Sequence, residues 1–264
     1  MISRIFRLFL CLFSLTIFLI VSIISHIFIS ILCPKYRWIY FSYLNRIFAR
    51  SLRVISGARV VVEGKSNIPA TTGNLIISNH LTYLDGVVIG SIFPVIYLSK
   101  KEIKNWPLIG WMTSVSGTIF IDRKRRDESH KYVDEIAKKL RDRINVLLFP
   151  EGTSTNGECI RDFQSVFFEA PLSSRSYILP ITIHYTKINN EPITKSNRDK
   201  ICWYGQIPFR KHIWQLLQQR SVEAIVNIHP IIDINKLENS SLGRKELARH
   251  AYQIINKEYF KSHQ

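Results

Sequence analysis

The chain has 264 residues, with 36 Lys and Arg against 20 Asp and Glu, a net charge of +16 and 46% hydrophobic residues. That length holds one substantial α/β domain with a large core and an appendage, not a string of domains. The basic surplus fits nucleic acid or an anionic membrane surface equally well on charge alone.

The N-terminus breaks that tie. From Ile5 to Cys33 the only ionisable side chains are Arg7, His26 and the cysteines, within a run dense in Ile, Leu, Phe and Val. A bilayer-spanning helix needs about 20 apolar residues, whereas the apolar part of a cleavable signal is about 7–15. Pro34-Lys35-Tyr36-Arg37 follows in place of a small-x-small cleavage site, so the run reads as a retained membrane anchor. Arg4 and Arg7 flank one side, and Lys35, Arg37, Arg46, Arg50 and Arg53 the other. If the segment spans, the heavier positive side places the following domain on the cytoplasmic face. Ser14, Ser22, Ser25 and His26 interrupt the run, so a helical hairpin dipping into one leaflet is the other arrangement. No pair among Cys11, Cys33, Cys159 and Cys202 has metal-ligand spacing, and no disulfide is implied, in keeping with a reducing compartment.

Between Tyr36 and Ser56, Leu44, Ile47, Phe48, Leu52 and Ile55 recur at helical spacing, with Arg46, Arg50 and Arg53 largely off the stripe. Such a basic amphipathic helix either lies among lipid headgroups or packs on the domain with a solvated basic face. Residues 1–56 therefore form the anchor and this helix, and residues 57–264 an α/β domain. Strands are expected at Arg59–Val62, Leu75–Ser78, Val95–Leu98, Thr118–Ile121, Val146–Phe149, Tyr177–Ile183 and Ala224–Ile228. Helices are expected at Asp127–Arg143, with Val133, Ile136, Ala137, Leu140 and Ile144 on one face, and at Leu242–Phe260, capped by Ser240 or Ser241. Interleaved strands and helices predict a single mixed sheet flanked by helices.

Three strand ends carry candidate chemistry. His80, in Asn79-His80-Leu81-Thr82-Tyr83-Leu84-Asp85, leaves a strand with Asp85 five residues on. An imidazole accepts a proton near neutral pH, and a carboxylate on its other nitrogen fixes the tautomer. The plainer alternative is a helix start that Asp85 or Asn79 caps. Phe149-Pro150-Glu151-Gly152-Thr153-Ser154 follows another strand, and backbone amides in such a turn can converge on a phosphate oxygen. Glu151 fits orientation of an Arg or a substrate hydroxyl better than direct contact with an anion. In Gly117-Thr118-Ile119-Phe120-Ile121-Asp122-Arg123, the guanidinium of Arg123 suits a phosphate. Lys124, Arg125 and Arg126 read as a solvated loop, and Lys100 and Lys101 as a solvated or membrane-facing patch. His184 and His229 read as packed residues and His212 as part of a helix surface.

In this order, these elements resemble the glycerolipid acyltransferase family, best known for 1-acylglycerol-3-phosphate O-acyltransferases. Its Asn-His-x4-Asp block matches Asn79, His80 and Asp85; its Phe-Ile-Asp-Arg block matches Phe120 to Arg123. Its Phe-Pro-Glu-Gly-Thr-Ser block matches Phe149 to Ser154, and its apolar strand around a proline matches Ile178-Leu179-Pro180-Ile181. The similarity runs from about Gly57 to Pro230. The resemblance implies transfer of a fatty acyl group from acyl-CoA or acyl carrier protein to 1-acyl-sn-glycerol 3-phosphate, giving phosphatidic acid for phospholipid biosynthesis. His80 would be the general base and Asp85 its partner. Arg123, Glu151 and Gly152 would form the acceptor site, with Thr153 and Ser154 contributing. No metal and no cofactor beyond the acyl donor is implied; the partners are the lysophospholipid, the donor and anionic membrane lipids, and not nucleic acid.

Two departures bear on the acceptor. Gln164 stands where many relatives carry Lys, and Gln206 where relatives often carry Asp. Another lysophospholipid is the near alternative, since Arg123 would hold a diester phosphate too, and a catalytically silent membrane-binding protein is the alternative of a different class. A serine hydrolase is disfavoured, since no Gly-x-Ser-x-Gly segment occurs.

Overall fold

The structure, a computed structural model, describes residues 4–122, 129–237 and 243–261. Arg123 to Arg126, Asp127 at the start of the expected helix, and Ser240, Ser241 and Leu242 lie outside the described residues.

Strands β1 (Ala58–Glu63), β2 (Leu75–Ser78), β3 (Ile96–Lys100), β4 (Ile119–Ile121), β5 (Val146–Leu148), β6 (Ile178–Ile188), β7 (Glu191–Pro192) and β8 (Val222–Ile228) form one sheet. Their order is β1-β8-β6-β2-β5-β3-β4, with β7 paired to β6. The β2–β5, β2–β6, β3–β5, β3–β4 and β1–β8 pairs are parallel, whereas β6 runs antiparallel to β7 and β8. The mixed sheet expected from the alternating pattern is therefore present. Central strands β2 and β5 are buried at every position, as unbroken apolar runs covered on both faces should be.

The flanking helices are α1 (Arg4–Leu32), α2 (Arg37–Ile55), α3 (Leu84–Ile92), α4 (Ile109–Val115), α5 (Ser129–Arg141), α6 (Glu169–Ser174), α7 (Phe209–Leu216) and α8 (Arg244–Lys261). Helix α3 carries no amphipathic signal because it is buried nearly all round, through Leu84, Asp85, Val88, Ile89, Gly90 and Ser91. On α5, Lys139 joins the apolar face; it is buried, with its ammonium 3.9 Å from the Trp38 ring centroid. Burial pushes that lysine down to about 8.

Helices α1 and α2 form an antiparallel hairpin, pinned by Ser14–Ser51 and Ser25–Tyr40 hydroxyl pairs at 2.7 and 2.9 Å and by Phe18 stacked on Phe48 at 4.4 Å. The apolar stripe of α2 is divided: Ile47 is 63% exposed, whereas Phe48 meets α1 and, with Leu52, lines a cavity. Phe41, Ser42, Asn45 and Ala49 are buried, and α2 packs on α3. Asn45 Nδ2 donates to the carbonyls of Val95 and Ser116 at 3.0 and 3.2 Å, anchoring the helix by a polar residue that hydropathy overlooks. Both ends of the hairpin touch the domain. At one end the Arg7 guanidinium donates to the carbonyls of Gln219 and Arg220. At the other, Trp38 lies against Lys139 and so close to Gly117 that a Cβ there would meet the indole at 2.5 Å. Helix α1, about 43 Å long, thus lies across the domain with only 11% of its apolar window buried.

Candidate active site

Strands β2 and β5 are parallel neighbours in the register Ile77↔Leu148, so the segments that leave their C-terminal ends emerge side by side. Ligand-binding loops of α/β sheets occupy that edge. His80 and Glu151, 71 positions apart, thereby come within one hydrogen bond of each other: the His80 backbone N–H donates to Glu151 Oε1 at 2.6 Å.

Asn79 fixes the exit of β2 by bonding both backbone groups of Ile183 on β6, at 2.9 and 3.0 Å. The chain then turns into α3, whose first turn carries Asp85. Its Oδ2 lies 2.8 Å from His80 Nδ1 and accepts the backbone N–H groups of Leu81 and Thr82 at 2.7 and 2.9 Å. The Tyr185 hydroxyl, from β6, donates to Oδ1 at 2.7 Å. Burial and the charge of Asp85 push the Tyr185 phenol well above its usual range, so it remains the donor. Asp85 is fully buried and His80 half-buried, with its ring stacked on Phe149 at 4.1 Å. A carboxylate held by these donors requires the proton of His80 on Nδ1 and leaves Nε2 with its lone pair. The helix-capping alternative and the base–carboxylate pair coexist: the same Oδ2 caps the turn and holds the imidazole.

Glu151 is buried and both its oxygens are taken, Oε2 by the Arg161 backbone N–H at 2.8 Å. Burial raises its carboxyl to about 7, against the two backbone donors that favour the charged form. Through these two bonds the side chain braces the two loops. Gly152, at φ 75°, closes a turn by donating to the Phe149 carbonyl at 3.0 Å, a conformation that favours glycine. The Ser154 hydroxyl donates to the Trp203 carbonyl, and Thr155 N–H to the His80 carbonyl at 2.9 Å. Arg123 lies outside the described residues; His80, Asp85, Glu151, Gly152, Thr153 and Ser154 come together at one edge of the sheet.

A cavity of about 550 Å³ opens beside the imidazole, lined there by His80, Phe149, Gly152, Thr153 and Ser154. Phe18 of α1, Phe48 and Leu52 of α2, Val87 of α3 and Met112 of α4 give the remainder an apolar wall. The motifs do not reveal Tyr83, which also lines the cavity and whose hydroxyl is 3.0 Å from His212 Nδ1. His212 is fully buried, not on a helix surface, because α7 turns it inward with Leu216. Burial pushes its imidazole below the usual range. His184 and His229 are packed as expected, His184 stacked on Tyr259 at 4.5 Å and His229 Nε2 2.7 Å from Thr182 Oγ1.

The family model described as "Acyltransferase" matches residues 59–184. The lyso-ornithine lipid O-acyltransferase of Rhodobacter capsulatus is 30% identical over 78% of this chain and 71% of its own length. The chain belongs to the glycerolipid acyltransferase family. Another relative, the 1-acyl-sn-glycerol-3-phosphate acyltransferase of Neisseria gonorrhoeae, is 22% identical over 78% of this chain and 77% of its own. The crystal structure of the Thermotoga maritima 1-acyl-sn-glycerophosphate acyltransferase superposes with a TM-score of 0.68 over 98% of this chain and 97% of that one, at 17% identity. At that identity the likeness carries the fold alone. Within this acyltransferase, both matched blocks of the family signature that flank the cavity sit on one edge of the sheet.

Proposed function

We propose that this acyltransferase moves a fatty acyl group from a thioester, acyl-CoA or acyl carrier protein, to the free hydroxyl of a lysophospholipid. The observation that carries the reading is the His80–Asp85 pair, with the carboxylate on Nδ1 and not on Nε2, and with His80 lining a largely apolar cavity. His80 Nε2 takes the acceptor's hydroxyl proton as its oxygen attacks the thioester carbonyl. The tetrahedral oxyanion collapses, the C–S bond breaks, and the imidazolium returns the proton to the leaving thiolate. Asp85 holds the imidazolium; no covalent enzyme intermediate is needed, because the thioester is already activated. The apolar cavity suits the acyl chain, and the Gly152–Ser154 turn with Arg123 suits an acceptor phosphate.

The acceptor we favour is 1-acyl-sn-glycerol 3-phosphate, giving phosphatidic acid. A second reading, acylation of a lyso-ornithine lipid, is favoured by the 30% identity to the Rhodobacter relative. A donor-by-acceptor matrix on the purified full chain separates them. Transfer to lysophosphatidic acid supports the first; transfer confined to lyso-ornithine lipid replaces it with the second. No transfer from either donor to either acceptor supports the silent membrane-binding alternative.

The contacts at both ends of the α1–α2 hairpin favour an anchor lying in one leaflet over a spanning helix, since a span would carry one end of α1 across the bilayer. With the hairpin in one leaflet, flanking charge no longer sets the side. The unpaired cysteines and the basic surplus favour the cytoplasmic leaflet, whose anionic lipids attract cations.

A further inference from the structure

Residues 101–108 join β3 to α4 and end in an unusual turn at Leu108. Leu108 sits at φ 63° and ψ −52°, and the Ile109 N–H donates back to the Pro107 carbonyl at 2.7 Å. That is the rare, strained γ-turn, which a branched side chain adopts only when its surroundings impose it. The surroundings here are rigid. Gly110 N–H donates to the Trp106 carbonyl at 2.8 Å, and a Cβ on Gly110 would meet the Lys104 carbonyl at 2.0 Å. The outcome of this strain is outward display: Leu108 is 45% and Trp111 71% exposed.

Ordinary folding gives no reason to strain a backbone in order to put a leucine and a tryptophan in water. Two features identify what covers them. The segment Trp106–Met112 is continuous with an apolar surface, because α4 packs directly on α1, a helix that exposes apolar side chains along its whole length. It is also bordered by exposed Lys104, a cation that complements anionic headgroups, while Lys101 nearby is paired with Asp122 at 3.1 Å. Tryptophan beside lysine is the side-chain pairing of the bilayer interface.

The inner side of the same segment faces the cavity: Trp106 and Met112 line it, with Ile103 just before and Thr113 just after. We propose that Trp106–Met112 is a second bilayer-insertion element, beside the α1–α2 hairpin, that dips Leu108 and Trp111 into the boundary between headgroups and acyl chains. The cavity rim then stands at the lipid surface, so a lipid reaches His80 sideways from the leaflet without leaving it for water. The route rests on the lipid-acyltransferase reading; the insertion itself does not.

The test reads Trp111 alone. Full-length protein is reconstituted in phosphatidylglycerol-containing vesicles, with and without bromine on the upper acyl chain, and so is the Trp111→Phe variant. The emission of wild type minus variant isolates the Trp111 indole from the other four tryptophans. That difference is expected to fall at least about twofold in the brominated vesicles, as for an indole at the interface. Equal difference emission in both vesicles overturns the proposal, because it leaves Trp111 in water or beneath a protein partner. Trp111→Tyr, an exposed and near-isosteric change, repeats the subtraction should Trp111→Phe fail to fold. Quenching without acyl transfer in the same preparation overturns the functional reading and leaves the insertion element standing; transfer with an unquenched Trp111 does the reverse.

Discussion

Glu151 accepts the backbone N–H of His80 at 2.6 Å, and through that bond a glutamate from one loop sets the position of the base in another. The bond exists because β2 and β5 run side by side and parallel, which places their exits within side-chain reach. Its partner bond to Arg161 N–H ties in a third stretch of chain. Glu151 is thereby a positioning group, and its buried carboxyl has thermodynamic as well as geometric consequences.

The Glu151→Gln variant keeps the shape but offers one acceptor oxygen where two are needed, so either His80 N–H or Arg161 N–H faces a donor. Leaving a buried donor unmet costs about 1–3 kcal/mol. The pH dependence has a definite sign. With its folded value raised to about 7 from 4.5, Glu151 binds a proton in the folded state that the unfolded state has released. Its contribution therefore lowers stability as pH rises from 4.5 towards about 7 and is flat above that. Thermal unfolding in detergent across this range checks it: the wild type loses stability with rising pH in that window, and Glu151→Gln lacks that component.

Tyr185→Phe removes one of the donors that satisfy Asp85 while leaving the ring in place. A carboxylate with fewer donors holds the imidazolium of His80 more firmly. The acid limb of the kcat/KM profile is then expected to move to higher pH, with kcat on the plateau falling by less than about tenfold, since His80 and Asp85 remain in contact. An unmoved acid limb assigns Tyr185 to packing alone.

The fold was legible where periodicity is local. Strand β2, strand β5 and the long helix α8 follow from their own residues. Helix α3 was not legible, because its burial on nearly all sides erases the amphipathic period. The buried face of α2 is not marked in the sequence for a related reason: Asn45 docks through its amide, and hydropathy counts that residue as polar. His212 looked like a surface residue because its partner, Tyr83, lies 129 positions away. His80 and Asp85 were legible through a five-residue spacing that a tight turn closes. The bracing role of Glu151 was hidden, since it depends on which strands pair, and Tyr185 gave no signal within a strand buried along most of its length.

Ala49, on α2, lines the apolar part of the cavity. In Ala49→Phe, a phenyl ring displaces part of any chain seated there. Each methylene lost from the apolar site costs about 0.8 kcal/mol, or roughly fourfold in affinity. The variant is expected to shift donor preference towards shorter acyl chains, read as the ratio of kcat/KM values across a donor series. An unchanged ratio places the acyl chain elsewhere.

The central claim is that the imidazole beside Asp85 removes the acceptor's proton, and His80→Ala acyl transfer by the reconstituted full chain tests it most directly. The account predicts a kcat lower by about 10²–10⁴-fold or more, with Asp85, Tyr185 and the rest of the fold intact by thermal unfolding. Transfer at the wild-type rate from the His80→Ala protein contradicts it.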